Sequence, residues 1–168
     1  MKANRTCSIA FIFTSILLSV LASAPAGPPN KECVVVLHGL GRTEASMRKI
    51  EMALIENNYL VWNEEYPSRK ENIQSLAANH VSQGIRQCGE RNATAIHFVT
   101  HSMGGILVRQ YLQSNEIPGL DKIVMLAPPN HGSEVVDHLQ DASFYQELMG
   151  PAGQQLSTRK NSVPNSLK

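Results

Sequence analysis

The chain predicts an α/β fold, a parallel sheet with helices on both faces, and three observations carry that reading. Apolar runs of strand length recur at residues 33–37, 59–65, 95–99 and 122–127. Segments with apolar residues at helical spacing separate them. The residues that could do chemistry, His38, Leu40, Ser102 and His131, all follow strand ends and so fall on one rim of a parallel sheet, where such folds bind ligands.

Each element has a local reason. Gly27-Pro28-Pro29-Asn30 reads as a linker, and Cys33-Val34-Val35-Val36-Leu37 is near-continuously apolar, as a strand buried on both faces requires. A helix is expected from Glu44, with Met47, Ile50 and Leu54 on one face, Thr43 as its cap and Asn57-Asn58 at its end. Tyr59 to Glu65 gives a second strand, stopped at Pro67. Asn72 to Cys88 gives a second helix with Ile73, Leu76, Ala77, Val81 and Ile85 as its buried stripe. Ala95 to Val99 is the third strand, Ile106 to Gln113 a helix, and Lys122 to Ala127 the fourth strand. Residues 27–150 are read as one domain. Residues 151–168, whose large apolar residues are Leu156, Val163 and Leu167, are expected to form an irregular tail.

A length of 168 residues suits one domain, and a net charge of +1 with 5% aromatics gives no basic face for nucleic acid. Lys2 and Arg5 precede the apolar stretch Ile9 to Leu21, followed by Ala22-Ser23-Ala24. This is the form of a signal peptide over residues 1–26, or of an N-terminal anchor where it stays uncleaved. The chain is therefore expected to be exported, periplasmic or secreted, and to meet a membrane only through that segment. Removal of the signal leaves Cys33 and Cys88, a candidate disulfide in an oxidising compartment or else two buried thiols. No C-x-x-C or Cys/His spacing points to a metal.

The strongest chemical signal is Val99-Thr100-His101-Ser102-Met103-Gly104-Gly105, between a strand and a helix. A serine on a sharp strand-to-helix turn points its hydroxyl over the sheet edge, and its neighbours two residues away must be small. Gly104 meets that need on the helix side, while Thr100 stands where glycine is usual. Gly105 lets the helix approach the strands. The first strand ends in His38-Gly39-Leu40-Gly41, whose glycines let the main chain approach a substrate oxygen. The fourth strand runs into Pro128-Pro129-Asn130-His131-Gly132-Ser133.

These three segments, V-V-V-L-H-G-L, T-H-S-M-G-G and M-L-A-P-P-N-H-G-S-E, resemble the α/β-hydrolase superfamily, and within it the small bacterial lipase-like and esterase-like hydrolases. The resemblance covers roughly residues 31–140. It implies a serine hydrolase that cleaves an acyl ester, thioester or amide through an acyl-Ser102 intermediate. The backbone N–H groups of Leu40 and Met103 would form the oxyanion hole, with no metal or organic cofactor. The implied partner is a small-molecule acyl ester or a lipid-like substrate. Leu40, Met103 and Ile106 suggest an apolar acyl pocket.

The family order places an acid and a histidine after two further strands, so the resemblance also implies a hydrolase incomplete at its C-terminus. Within the chain, His131 is the candidate base, with Asp137 or Asp141 to orient it. His101 is expected to pack or line the pocket, and His38 to shape the oxyanion loop through hydrogen bonds. His80 is read as a satisfied core histidine and His138 as a surface residue. The run Ile123 to Leu126 is expected to be an exposed apolar sheet edge. The alternative function is a non-catalytic protein of the same fold that binds an acyl ligand or a partner.

Overall fold

The computed structural model describes residues 31–139 and 141–168, and the expected targeting segment at residues 1–26 lies outside them. Four parallel strands, β1 (Glu32–Leu37), β2 (Leu60–Glu64), β3 (Ala95–His101) and β4 (Leu120–Leu126), form one sheet in the order β2-β1-β3-β4. The chain adds β2 on one side of β1 and β3 on the other. The loops that leave β1 and β3 therefore diverge at a topological switch point, the place where a doubly wound sheet opens a crevice.

Alternation along β1 builds two cores. Cys33, Val35 and Leu37 face one layer, which holds Tyr66, Ile73, Leu76, Phe98, Ile106 and Leu107. Val34 and Val36 face the other, with Met47 and the partly buried Ile50, Leu54 and Val61. The second layer is α1 (Arg48–Glu56), entered through a 3-10 turn at Glu44–Met47. Thr43 sits at the start of that turn, but its side chain makes no capping bond; its carbonyl instead accepts from the Ser46 hydroxyl at 2.7 Å. Asn58, in the left-handed region at φ 65°, ends the helix as expected.

The helix expected over residues 72–88 is not one regular helix. It runs as α2 (Ile73–Leu76), a π turn at Ala77–Val81 and α3 (Ser82–Glu90). Asn72 caps its start by accepting the Ser75 N–H at 2.8 Å. Gly84 packs against β1 so closely that a Cβ there would lie 2.5 Å from a Val35 methyl. Cys33 and Cys88 are joined in a disulfide that ties β1 to the end of α3, with their Cα atoms 5.6 Å apart.

The core helix after β3 is α4 (Met103–Leu112), buried along Met103–Val108. Beyond β4 follow α5 (Glu134–Leu139), α6 (Ser143–Gln154) and α7 (Val163–Ser166). Residues 151–168, expected to be irregular, pack on the body. Ala152, Leu156 and Val163 are buried. The Gln155 side chain accepts the Ile73 N–H at 2.7 Å, and Arg109 donates to the carbonyls of Pro164 and Leu167. Composition misses this because its few apolar residues, Ala152, Leu156, Val163 and Leu167, are spread through polar sequence yet join the main core, with a glutamine and backbone carbonyls bonded to the body as well. β4 forms the outer edge of the sheet, with Val124 49% and Leu126 39% exposed.

Candidate active site

Ser102 is the residue between β3 and α4, and its backbone lies at φ 51°, ψ −120°. This is a conformation that L-residues rarely adopt, held here by the bonded structure on both sides. Its N–H donates to the Leu126 carbonyl at 2.8 Å, and its carbonyl accepts from Gly105 N–H at 3.0 Å. The turn leaves no room for side chains around it. A Cβ on Gly104 would sit 2.8 Å from the Leu37 carbonyl oxygen and 2.9 Å from that of His38. One on Gly105 would touch Met125, Pro128 and Thr100 at 3.2 Å. Thr100 itself is fully buried and fits beneath the turn, so the departure from glycine there leaves the elbow intact.

The loop that leaves β1 comes up against this turn. A Cβ on Gly39 would lie 2.9 Å from Nδ1 of His101 and 3.2 Å from Cβ of Ser102. Gly39 is thus needed for the loop to meet the elbow, a closer constraint than the approach of a substrate oxygen. His101, half-buried, spends its ring on that contact. Met103 opens α4, and the first N–H groups of a helix have no partner within it. Leu40 follows Gly39 on the facing loop.

Leu40 and Ser102 line a cleft of about 380 Å³ together with Ala127, Val136, Tyr145 and Met149. Its wall corrects the expected pocket. Met103 and Ile106 are fully buried on the core side of α4, and most of the apolar lining comes instead from α5 and α6. Tyr145, a residue that sequence reasoning missed, is buried on this wall, and burial pushes its phenol pKa up.

The histidines divide clearly. His38 is fully buried, its Nδ1–H donates to the Gly39 carbonyl at 2.9 Å, and its ring stacks on Tyr66. Burial holds its pKa below the ordinary histidine range. His80 is half-buried, with Nδ1 at 2.8 Å from Oε1 of the buried Glu64. His138 is exposed on α5. His131 follows β4 on the rim and is exposed; its carbonyl accepts from Asn165 at 3.2 Å.

Among the described residues no histidine or carboxylate is hydrogen-bonded to the Ser102 side chain. Asp137 does not orient His131. Its carboxylate takes the N–H and hydroxyl of Thr158, bonds that hold its pKa below the usual carboxylate range. Asp141 is exposed.

No protein-family model and no curated protein matches the chain significantly. Solved structures do. A Bacillus licheniformis lipase in its mature form aligns at TM-score 0.65 and 20% identity over 81% of this chain and 58% of its own. Phospholipase PlaB from Legionella pneumophila aligns at 0.61 and 19%, over 79% and 32%. A Paleococcus ferrophilus monoacylglycerol lipase aligns at 0.52 and 18%, over 70% and 49%. The chain thus spans between about a third and three-fifths of the length of these proteins. At such identities the likeness is one of architecture, and with the strand order and the strained serine between β3 and α4 it establishes an α/β-hydrolase fold.

Proposed function

We propose that the chain is a serine hydrolase of the acyl ester type with Ser102 as its nucleophile. The observation that carries this reading is the backbone of Ser102, strained at φ 51° and fixed against the Gly39–Leu40 loop at the mouth of an apolar cleft. A strained serine has no structural advantage over an unstrained residue there, so its strain argues for use. In the reaction the Ser102 hydroxyl attacks the ester carbonyl, the ester C–O bond breaks and the alcohol leaves with the serine's proton, and water then cleaves acyl-Ser102 to release the acid and restore the hydroxyl. The oxygen that gains charge is met by the N–H groups of Leu40 and Met103, and the acyl chain lies along Val136, Tyr145 and Met149. Small esters or lipid-like esters fit such a wall.

A hydroxyl is a weak nucleophile without a base. Since no histidine is bonded to Ser102 among the described residues, turnover by this chain rests on the oxyanion donors and on any reach of His131 to the serine. Enzymes stripped of their triad keep a rate about 10³–10⁴ over water from the oxyanion hole and binding. The same observation favours a second reading, a protein of this fold that binds an acyl ligand without turnover. We further propose that the protein is exported, a reading that rests on the N-terminal pattern of residues 1–26 and accords with the Cys33–Cys88 disulfide.

The test is hydrolysis of a short-chain p-nitrophenyl ester by the purified chain and by Ser102→Ala. Turnover lost in the variant establishes the hydrolase. Equal rates from two folded proteins, with an acyl ligand still bound, establish the binding protein.

A further inference from the structure

The loop that leaves β2 grips the loop that leaves β1. Tyr66, 2% exposed, donates its hydroxyl to the His38 carbonyl. Its ring lies parallel to the His38 imidazole, with centroids 3.9 Å apart and an interplanar angle of 8°. Two residues on, the Ser68 hydroxyl accepts the Gly41 N–H at 3.0 Å. Residues 38–41 are thus held at both ends by residues 66–68.

The consequence for Leu40 follows from peptide geometry. The Gly39 carbonyl and the Leu40 N–H belong to one planar trans peptide and point in opposite directions. Whatever holds Gly39 O aims Leu40 N–H. That oxygen accepts from His38 Nδ1 at 2.9 Å and from Arg42 N–H at 3.2 Å. The His38 ring can donate there only while it keeps its orientation and carries its proton on Nδ1. Its buried Nε2 makes no hydrogen bond, and the nearest charged group, the exposed Glu65 carboxylate, lies 3.7 Å away, too far for a bond that would fix the ring. The stack on Tyr66 fixes it instead.

Behind Tyr66 stands a second layer. The His80 ring, on the π turn, lies 5.6 Å from the Tyr66 ring, and His80 is bonded to Glu64. The indole of Trp62 donates to the other oxygen of the same carboxylate. Glu64, 2% exposed, is therefore partnered on both oxygens, and His80 is held beside Tyr66 with its ring tilted by 35°.

We propose that Tyr66 is a positioning residue of the site: by holding the His38 carbonyl with its hydroxyl and the His38 ring with its own, it fixes the peptide that presents the Leu40 N–H. The proposal deepens the ester-hydrolase reading and rests on it for its catalytic consequence. Its structural core concerns only the Gly39–Leu40 peptide.

The experiment compares the 168-residue chain with Tyr66→Phe, which keeps the ring and removes the hydroxyl. Amide proton NMR shifts and exchange of Gly39 and Leu40 are read beside ester kinetics, with Ser102→Ala as the blank. The expected result is a folded variant with displaced Gly39 and Leu40 amides and faster exchange there. Its kcat falls roughly tenfold with KM unchanged, the size of one neutral hydrogen bond realised in the transition state. Unchanged amides in a folded Tyr66→Phe and in a folded Tyr66→Leu, which also removes the stacking ring, overturn the proposal, whatever the kinetics.

Displaced amides in a chain whose turnover does not depend on Ser102 sustain the positioning role and remove the hydrolase reading instead. Should the variant not fold, the unaltered chain decides through the ¹⁵N shifts of His38. A proton on Nδ1 is required, and an Nε2–H tautomer overturns the proposal.

Discussion

The backbone N–H of Ser102 donates to the Leu126 carbonyl at 2.8 Å. The strained turn that presents the serine is therefore anchored on β4, an edge strand of the sheet. Made by the first residue past the end of β3, this bond continues the β3–β4 ladder, whose last pair is His101 with Leu126. The geometry of the candidate nucleophile and the behaviour of the exposed edge are consequently linked.

That edge sets the first prediction. A long strand with unpaired backbone groups and half-exposed Val124 and Leu126 is a template for pairing between molecules. Val124→Lys places a charge on the exposed face and leaves the Leu126 carbonyl free to accept from Ser102. Light scattering against protein concentration should show aggregation delayed in the variant. The urea midpoint should move by no more than about 0.5 kcal/mol equivalent, as for an ordinary surface substitution. Equal aggregation of the two proteins would locate the sticky surface elsewhere.

Gly104 carries the second. Its Cα faces the carbonyl oxygens of Leu37 and His38, and those atoms are backbone that cannot turn aside. Gly104→Ala must push β1 and α4 apart. Overpacking of this kind costs about 1–3 kcal/mol. Because the displaced carbonyl is that of His38, the Leu40 N–H moves with it. Denaturant titration should show the loss of stability, and any Ser102-dependent turnover should fall further than the loss of folded protein accounts for.

The disulfide carries the third. Cys33 and Cys88 are 55 residues apart in sequence. Closing a loop of that size removes unfolded-state entropy worth about 4 kcal/mol, within the usual range of about 2–5 kcal/mol for a native bridge in a small domain. The substitutions Cys33→Ser and Cys88→Ser together should lower stability by about that amount. Addition of reductant to the unaltered chain should lower its melting temperature to match. A melting temperature insensitive to reductant would mean that the thiols are unpaired in solution.

The sequence shows the elements whose signal is local. The apolar run Cys33–Leu37, the small residues around Ser102 and the left-handed Asn58 each state a backbone requirement within a few residues, and the strands and the elbow follow from them. Where contacts join distant residues, pattern fails. Nothing near Gln155 announces that its side chain caps Ile73, 82 residues away, or that Arg109 seizes the carbonyls of Pro164 and Leu167. The role of Tyr66 was equally hidden, although Glu64-Glu65-Tyr66 at the end of a strand held a clue. Alternation turns Glu64 inward beside Trp62, and a carboxylate there needs partners, which Trp62 and His80 supply. Of the expected acyl pocket only Leu40 lines the cleft, for a related reason: Met103 and Ile106 are apolar because they are core, and periodicity does not separate core from cleft.

The last prediction concerns pH. His38 is fully buried, and burial is the main cause that lowers its pKa from the ordinary 6.5; its bond to the Gly39 carbonyl and the charges of Glu44 and Glu64 oppose the shift without reversing it. The folded chain therefore binds this proton less readily than the unfolded chain. The contribution of neutral His38 to stability is complete above about pH 6.5, the unfolded value, and is lost as pH falls towards the lowered folded value. Urea midpoints measured from about pH 8 down to about pH 5 should decline in the lower part of that range. His38→Asn keeps a donor for the Gly39 carbonyl and removes the titration. It should be less stable than the unaltered chain at the upper end and flatter across the range. A decline of equal slope in both proteins would assign the acid sensitivity to another group and leave His38 without a pH-dependent role.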